Sequence, residues 1–582
     1  RDVQRLRSPC IIHVLTDSKK CVNPEIQHLI SSFCSPSVSL NHNTFLLKYK
    51  YILSAALLST MLGVTSCVND LDTVPLDKDE LVSDVVFGKE IGAYEQSLAK
   101  IYAGLVIGGN AGGDSDQDVA GIDGGSQASF IRVLWNMQEL ASDIAHCCWN
   151  DPGIPDFNHI SWAASSPWIK GSYYRLYYQI NLSNAFLRET TDDKLASRGC
   201  SEQVKASIKT FRAEARFMRA LMYLYALDLY RNVPFVDENS PIGSVRPQQI
   251  MKDQLFEYIE SEMLACESDM LDPVVGFNDN YGHANKAALW AALSRLYLNA
   301  DTYVGVNKYT ECVTYSKKII SAGYQLEPVY GDMFKADNDQ SKEMIFPLRY
   351  EGEDTMTWGG MTALLCWGSA DFQEETNAKG GWQGVRAKSS LYNIFEKEDS
   401  SDKDTRKAML RTEATTNIEI TNEADFVNNG IPVTKFYNVN KDGSKPASAE
   451  AWTDYPLFRL GEIYLNLAEA VLRGGQGATK TEALGYVNDL RKRAYSDKAS
   501  APISDSDFTL DFMMDERARE LFYEAQRRTD LIRFGKYTSA DYVWPWKGGV
   551  AAGKSVESFY QVFPLPSDDV GSNQNLVQNE GY

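Results

Sequence analysis

The chain has 582 residues, of which 44% are hydrophobic, so it can bury a large core and form more than one lobe. Its 58 basic and 78 acidic side chains give a formal net charge of −20, which opposes contact with phosphate backbones and argues against a nucleic-acid partner. Six histidines without an H-E-x-x-H motif argue against a histidine-rich metal centre. The ten cysteines show no paired C-x-x-C spacing, and the adjacent Cys147 and Cys148 suit buried side chains.

Residues 46–67, LLKYKYILSAALLSTMLGVTSC, have the layout of a secretory signal. Two lysines precede an apolar run over residues 51–64, which is shorter than the ~20 residues that span a bilayer. The run ends in small residues and Cys67, which is similar to the lipobox of bacterial lipoproteins, although Val64 stands where leucine is usual. We predict a signal peptide over residues 46–66 and a lipid anchor on Cys67. The alternative is a buried core segment with a chance cysteine.

Residues 1–45 precede this signal, and the first methionine of the chain is Met61. Because secretory signals stand at the start of a protein, we predict that this stretch comes from an over-extended gene assignment and is absent from the mature protein. Peptides from residues 1–45 in the membrane fraction would contradict that prediction.

Beyond the signal, apolar residues recur with the 3.6-residue period of amphipathic helices. Pairs of such segments about 30 to 40 residues apart are typical of helix hairpins that bury a core by stacking, so a tetratricopeptide-like scaffold is predicted. The predicted helices cover residues 207–230, 284–300, 307–321, 459–472 and 480–495. Their predicted buried positions include Phe217, Leu221, Leu224 and Tyr225 in the first, and Leu289, Leu293, Leu296 and Tyr297 in the second, where Trp290 is also expected in the core.

Two long tracts rich in glycine, asparagine and tryptophan interrupt the helices, at residues 106–130 and 350–386. Tracts of this length inside a compact domain usually carry function. Trp358 and Trp382 lie in the second of these tracts, and Trp149 lies in a similar loop-like stretch. None of the three lies on a helical stripe. Each could serve as an exposed binding surface or as a core plug that anchors its loop.

Residues 548–555, GGVAAGKS, match the G-x-x-x-x-G-K-S pattern of a phosphate-binding loop. That loop works only between a buried strand and a helix, whose N-terminus then faces the phosphate. Here DYVWPWK precedes the glycines, and proline and tryptophan interrupt any smooth strand. We therefore predict a tryptophan-flanked surface turn and no nucleotide site.

Several long blocks, in the same order, resemble the SusD/RagB family of nutrient-uptake lipoproteins of Bacteroidetes. They are AEARFMRALMYLYALDLYRNVPF (213–235), TDYPLFRLGEIYLNLAEAVLRGG (453–475), DERARELFYEAQRRTDLIRFGKY (515–537) and FPLPSDDVGSNQNLVQNEGY (563–582). The resemblance covers essentially all of residues 67–582, with a helical-repeat part at 67–340 and the RagB/SusD part at 341–582. The tracts around KYTECVTYSKK and WPWKGG are most similar to the starch-binding member of the family.

The resemblance implies a mostly α-helical, tetratricopeptide-like scaffold with long irregular loops that form the ligand face. It implies a non-catalytic lipoprotein, anchored on the outer face of the outer membrane, that captures starch or malto-oligosaccharides. The implied partner is a SusC-like, TonB-dependent β-barrel transporter that receives the sugar. No cofactor is implied.

By position, the resemblance places an arc of three aromatic rings on Trp149, Trp358 and Trp382. Trp358 replaces a tyrosine of the starch-binding member, which leaves preference for the same α-glucan open. The polar residues of the implied site are Arg132, Asn150, for which Asp151 is a rival, and Asp123. Sugar rings have apolar C–H faces and polar rims, so flat aromatic faces with a few hydrogen-bonding groups suit them on chemical grounds as well.

A calcium site is a further prediction, because KADNDQSKE brings Asp337 and Asp339 into a D-x-D spacing, with Glu343 nearby. The DSDQD stretch, Asp114 to Asp118, is similar but lacks the rest of an EF-hand loop. Such acidic stretches are more often solvated turns than metal sites. Other functions stay open: capture of another glycan, capture of peptides as in the RagB branch, or hydrolysis of glycosides by a pair of carboxylates.

Overall fold

The computed structural model describes residues 83–109, 117–119, 129–243, 245–352, 364–365, 370–378, 383–425, 427–448 and 450–582. The predictions of an upstream extension, a signal peptide and an anchor on Cys67 lie outside these residues. Contacts group the described residues into one unit, Val82–Tyr582.

Helices dominate the described residues, as the sequence predicts. In chain order they are α1 (Ser83–Phe87), α2 (Gly92–Val106), α3 (Phe130–Trp135), α4 (Ile154–His159), α5 (Pro167–Glu189), α6 (Asp192–Ser197), α7 (Glu202–Tyr230), α8 (Lys252–Cys266), α9 (Lys286–Leu298), α10 (Ala300–Val304), α11 (Tyr309–Ser321), α12 (Ala370–Thr376), α13 (Ser389–Glu398), α14 (Leu460–Leu472), α15 (Lys480–Ala494), α16 (Leu510–Leu521), α17 (Arg527–Arg533) and α18 (Ser567–Ser572). The five helices predicted from periodicity correspond to α7, α9 with α10, α11, α14 and α15.

The long helices pack against one another in pairs, with α5 on α7, α7 on α8, α9 on α11, α11 on α14 and α14 on α15. Their buried faces merge into one continuous hydrophobic core, which is the stacking that a helix-hairpin scaffold requires. The predicted stripes of α7 and α9 are buried. Trp290 differs from its expected core position. It is half-buried at the edge of α9, where its indole N–H donates to Glu267 at 2.8 Å.

Polar residues define where several helices begin. The Ser201 hydroxyl accepts the backbone N–H of Val204 at the start of α7, and the Asn285 side chain accepts two backbone N–H groups at the start of α9. Thr479 and Thr509 play the same part for α15 and α16. Such caps satisfy backbone donors that lack a partner inside the helix, so each fixes the first turn in place.

Short antiparallel strands join distant parts of the chain. β1 (Ala145–Cys147) pairs with β5 (Val385–Ala387), β2 (Val233–Pro234) with β3 (Gln249–Ile250), and β4 (Met344–Leu348) with β6 (Tyr455–Arg459). The β4–β6 pair is buried along its length and leads directly into α14. The β1–β5 pair positions the candidate site described below.

The C-terminal helices bury a network of ion pairs that hydrophobic periodicity does not show. Arg406 is fully buried and contacts Asp404 at 2.7 Å, Glu516 at 2.9 Å and Glu520 at 3.0 Å. Glu516 and Glu520 lie one turn apart on α16, so the helix repeat brings both carboxylates to the same guanidinium.

Arg459, at the end of β6, continues the network. Its guanidinium contacts Glu343 at 2.8 Å and both Glu520 and Glu524 at 2.7 Å. A further cluster links α14 to α17, where Glu469 contacts Arg533 at 2.7 Å. A buried charge is tolerated only when it is paired and hydrogen-bonded, and these charges meet that condition.

The GGVAAGKS stretch is a turn, as predicted. A single 3₁₀ turn, Lys547–Gly549, opens it, and Gly548, Gly549 and Gly553 adopt positive φ. Neither a strand before it nor a helix after it is present to build a phosphate cradle among these described residues.

Candidate binding site

The segment from α3 to β1 combines two helical forms before it becomes a strand. α3 continues into a π-helical turn, Asn136–Leu140, and the chain then enters β1. π-Helical turns are rare and often lie at functional sites. The side chain of Asn158 holds the end of β1 by accepting the N–H of Cys147 at 3.1 Å and donating to its carbonyl oxygen at 2.8 Å.

Trp149 lies just beyond β1 and is half-buried. The guanidinium carbon of Arg132, on α3, lies 5.5 Å from the centre of the Trp149 ring and 5.8 Å from that of Trp168 on α5. Both distances fall within the range of cation–π contacts. Arg132 and Trp168 are buried, so the indole of Trp149 rests on a fixed base.

Gly384 supports Trp149 from β5. The backbone N–H of Cys148 donates to the carbonyl oxygen of Gly384 at 2.8 Å, which extends the β1–β5 pairing to the residue next to Trp149. Gly384 has φ +119°, and a Cβ built on it would lie 2.3 Å from the Trp149 indole nitrogen. Only glycine fits this conformation and this close approach.

The other predicted site residues divide into two groups. Asn150 and Asp151 directly follow Trp149 and are both exposed, so the structure does not choose between them. Asp123, Trp358 and Trp382 lie outside the described residues. The described chain resumes at Gln383, adjacent in sequence to Trp382 and next to the Gly384 that contacts Trp149. Roles of all these residues in binding remain predictions.

Burial shifts the ionisation of the basic groups around this segment. It lowers the pKa of Arg132 to about 10 and that of Lys388 to about 7. Lys388 donates to the carbonyl oxygen of Ser142 at 2.7 Å and has the carboxylate of Asp143 nearby. Burial also lowers the pKa of His146, in β1, to about 3, so this imidazole is neutral at physiological pH.

The arrangement holds a half-buried indole against buried supports, and two exposed polar residues follow it in the chain. An indole held by Arg132, Trp168 and Gly384 loses little freedom when a ligand stacks on it. The exposed Asn150 and Asp151 can donate to or accept from a ligand that has hydroxyl groups. This chemistry suits binding of a molecule with apolar faces and a polar rim.

Two of the residues predicted around the calcium site, Asp337 and Glu343, are engaged with protein groups. A carboxylate oxygen of Asp337 accepts the backbone N–H of Lys441 at 2.9 Å, and Glu343 contacts Arg459 and Arg493 at 2.8 and 3.1 Å. Within the described segments, no three His, Cys, Asp or Glu side chains converge so as to hold a metal ion. Asp118 contacts Lys100 at 2.9 Å, whereas Asp114 lies outside the described residues.

Sequence reasoning did not identify Trp168 or Gly384. Trp168 stands in the first turn of α5 after Pro167, a context that gives no sign of a contact with Arg132. Gly384 ends the glycine-rich stretch GGWQG, and a glycine beside a candidate tryptophan could have indicated close backbone approach.

Solved structures define the class of fold. Surface glycan-binding protein A from Bacteroides thetaiotaomicron, in complex with laminarihexaose, matches with a TM-score of 0.63 at 21% identity, covering 84% of this chain and 98% of that one. A SusD superfamily protein from Parabacteroides distasonis matches with a TM-score of 0.64 at 19% identity, covering 85% of this chain and all of that one. The chain therefore shares the fold of these solved structures.

Sequence comparison identifies the family. The starch-binding protein SusD of Bacteroides thetaiotaomicron is 33% identical over 589 residues, which cover 92% of this chain and the whole of that protein. The sequence model of the SusD family matches residues 414–582. A SusD-like protein of Bacteroides ovatus is 22% identical over 408 residues, covering 67% of this chain and 69% of that protein. The chain belongs to the SusD family.

Proposed function

We propose that this protein is a non-catalytic, cell-surface glycan-binding lipoprotein that captures starch or malto-oligosaccharides and delivers them to a SusC-like, TonB-dependent transporter. The observation that carries the proposal is the position of Trp149. This aromatic side chain is half-buried just beyond the end of β1 and lies over the guanidinium of Arg132. The 33% identity with a starch-binding protein over nearly the whole chain supports the choice of ligand.

Weak and rapidly reversible binding fits such a delivery role. Each aromatic contact contributes about 0.5–1.5 kcal/mol beyond area burial, whereas association costs at least about 4 kcal/mol. Three rings and a few hydrogen bonds therefore leave a modest net affinity. A protein that must release its cargo to a transporter gains from a fast dissociation rate.

The first test is titration calorimetry of maltoheptaose with the Trp149→Ala variant. We expect affinity to fall about tenfold or more, because truncation removes the stacking surface that Arg132 and Gly384 support. Trp290→Ala is the matched control, since Trp290 is also half-buried but lies on α9 beside Glu267. Equal affinity of the wild type and Trp149→Ala would contradict the proposed site.

Ligand choice is tested with three hexa- or heptasaccharides of different shape. An arc of rings can match the curvature of a helical α-glucan, so maltoheptaose should bind more tightly than cellohexaose. Laminarihexaose is included because it separates α-glucan capture from β-1,3-glucan capture. Preferential binding of laminarihexaose would retain glycan capture and overturn starch as its ligand. Release of reducing ends from amylopectin by the purified protein would overturn the non-catalytic assignment.

The proposed location depends on Cys67. A lipid-anchored wild-type protein should sediment with the outer membrane, whereas Cys67→Ser should appear in the soluble fraction. Affinity purification from detergent-solubilised membranes should recover a TonB-dependent β-barrel protein with the wild type. Recovery of soluble wild-type protein without any barrel would contradict both the anchor and the partner.

A further inference from the structure

A second cavity lies between helices α2 and α7, away from Trp149. Its volume is about 620 Å³, within the range of small-molecule sites. Its walls come from α2, from α7, from the connection between α8 and α9, and from the end of β4. Leu98, Phe211, Leu271 and Leu348 supply apolar surface to it. Of the residues predicted for the Trp149 site, those that the structure describes (Arg132, Trp149 and Asn150) do not line it.

A buried carboxylate forms part of the cavity wall. Glu214, on α7, is fully buried, and one of its oxygens accepts hydrogen bonds from the hydroxyl of Tyr102 and, at 2.9 Å, from His283 Nδ1. The other oxygen, Oε1, has no hydrogen-bond partner among the described residues. A buried acceptor without a donor costs free energy, so this position favours a ligand that supplies a donor.

His283 is the second polar group of the cavity. Its hydrogen bond to Glu214 raises the pKa of the imidazole and holds Nδ1 as a donor. The side chain of His283 is 39% accessible, so part of the imidazole can be reached by a ligand. Hydrogen bonds inside the turn that precedes His283 hold this part of the wall in shape, including Tyr281 N–H to Asn278 at 2.9 Å and His283 N–H to Asn280 at 3.1 Å.

The rim carries aromatic and charged groups together. The guanidinium carbon of Arg349 lies 5.5 Å from the centre of the Tyr281 ring, and Phe277, 53% exposed, packs 5.5 Å from the same ring. Glu95 and Asp279 add two exposed carboxylates. The cavity thus presents apolar walls, aromatic edges, and both donors and acceptors.

These groups select against charged ligands. Glu95, Asp279 and Glu214 oppose an anion such as a fatty acid, whose chain would also leave Glu214 Oε1 without a donor. A cation would meet the guanidinium of Arg349, which lines the same cavity. A neutral ring with apolar C–H faces and several hydroxyl groups satisfies both the walls and the polar groups.

We propose that the cavity bordered by Tyr102, Glu214 and His283 is a second binding site, for one or two units of a neutral saccharide. The ring packs against Leu98 and Phe211, and a hydroxyl donates to Glu214 Oε1. The site does not depend on the proposed capture of starch at Trp149, and each can be present without the other. Where both bind, one chain holds two separate segments of a glycan or two small sugars.

The test monitors His283 by NMR while maltose is added to the full chain. The protein carries Trp149→Ala, so that a signal cannot arise from the first site, and histidines labelled with ¹³C at Cε1. The chain has only six histidines, so comparison with His283→Gln assigns the resonance. Maltose should shift the His283 resonance in a saturable manner, whereas sodium laurate at equal concentration should not.

A cavity-filling variant provides the matched comparison. Ala99 lines the cavity on the exposed side of α2, so Ala99→Trp places an indole there without entering the core. Gln96 is exposed on the same helix and does not line the cavity, so Gln96→Trp is the control. The apparent affinity for maltose, taken from this shift, should fall at least tenfold in Ala99→Trp. It should stay unchanged in Gln96→Trp.

Three outcomes would overturn the proposal: no shift at millimolar maltose, a shift that persists in Ala99→Trp, or a shift with laurate instead of maltose. Failure of starch capture has a different signature, namely equal maltoheptaose affinity of the wild type and Trp149→Ala. The two experiments therefore fail independently.

Discussion

Two regions of the molecule bury basic side chains, and they differ in what surrounds them. Among the C-terminal helices, burial alone would lower the pKa of Arg406, but the carboxylates of Asp404 and Glu516 outweigh it and raise the pKa well above its ordinary value. Beside Trp149, burial prevails, and the pKa of Arg132 falls to about 10. Nearby carboxylates therefore overcome the cost of desolvating a guanidinium among the C-terminal helices, but not beside Trp149.

The partners explain the difference. In the C-terminal network the guanidinium groups meet carboxylates, whereas Lys388 donates to the carbonyl oxygen of Ser142 and Arg386 to that of Val427. Lys435 is an exception within the network, because its pKa falls to about 8 although it contacts Glu524. Carboxylates thus outweigh burial at Arg406, whereas beside Trp149 burial prevails over the carboxylates near Arg132 and Lys388.

Acid should produce the largest effect and should act on the network. Burial alone would raise the pKa of Glu516 and Glu520, but the surrounding arginines lower both to about 2. Because these folded-state values lie below the ordinary value of about 4.3, the stabilisation is complete above that pH and is lost as the pH falls towards 2. Each pKa unit corresponds to about 1.4 kcal/mol per group.

Denaturant unfolding between pH 6 and 2.5 measures this loss. A free energy of unfolding that stays constant across this interval would contradict the role of the buried carboxylates in stability.

Removal of a single network cation is the next largest change. Arg406→Ala leaves Asp404, Glu516 and Glu520 buried with one partner fewer, and we expect a loss of about 3–5 kcal/mol in unfolding free energy. Lys205→Ala is the control, because Lys205 pairs with the exposed Glu202 and its removal should leave the free energy of unfolding almost unchanged. Similar losses for both variants would remove the distinction between buried and exposed pairs.

Backbone strain beside Trp149, at the proposed binding site, gives the smallest expected change in stability, with a specific effect on the ligand. Gly384→Ala forces a side chain into φ +119° and against the Trp149 indole, which we expect to cost about 1–3 kcal/mol and to weaken maltoheptaose binding. Gly305→Ala is the control, since Gly305 also has positive φ but a Cβ there meets nothing within 4 Å. It should lower stability by about 1 kcal/mol and leave calorimetric affinity unchanged.

The sequence predicts the helical scaffold better than the binding face, for a physical reason. A stripe such as Phe217, Leu221 and Leu224 is a local pattern, because neighbours on a helix are three or four residues apart. The contact of Trp149 with Gly384 and Arg132 joins three separate segments of the chain. Hydrophobic periodicity, which compares residues close together in sequence, cannot predict it. Family resemblance supplied the positions of Arg132 and Trp149, but not the supports Gly384 and Trp168.

Hydrophobic periodicity in the sequence did not predict the buried charge network either. The stretch DERARELFYEAQRRTD is rich in charged residues, yet Glu516, Glu520 and Arg517 are buried. Their partners, among them Arg406 and Arg459, come from other segments of the chain. Charge composition alone therefore does not separate a solvated helix from one that is buried by pairing.

The pairing of β1 with β5 has a consequence for how binding competence arises during folding. The two strands come from opposite ends of a long stretch of chain, and their contact needs the intervening helices to be in place. Such high-contact-order pairings form slowly compared with local hairpins. Secondary structure should thus recover early during refolding, and the ability to retain sugar on an amylose column should recover last.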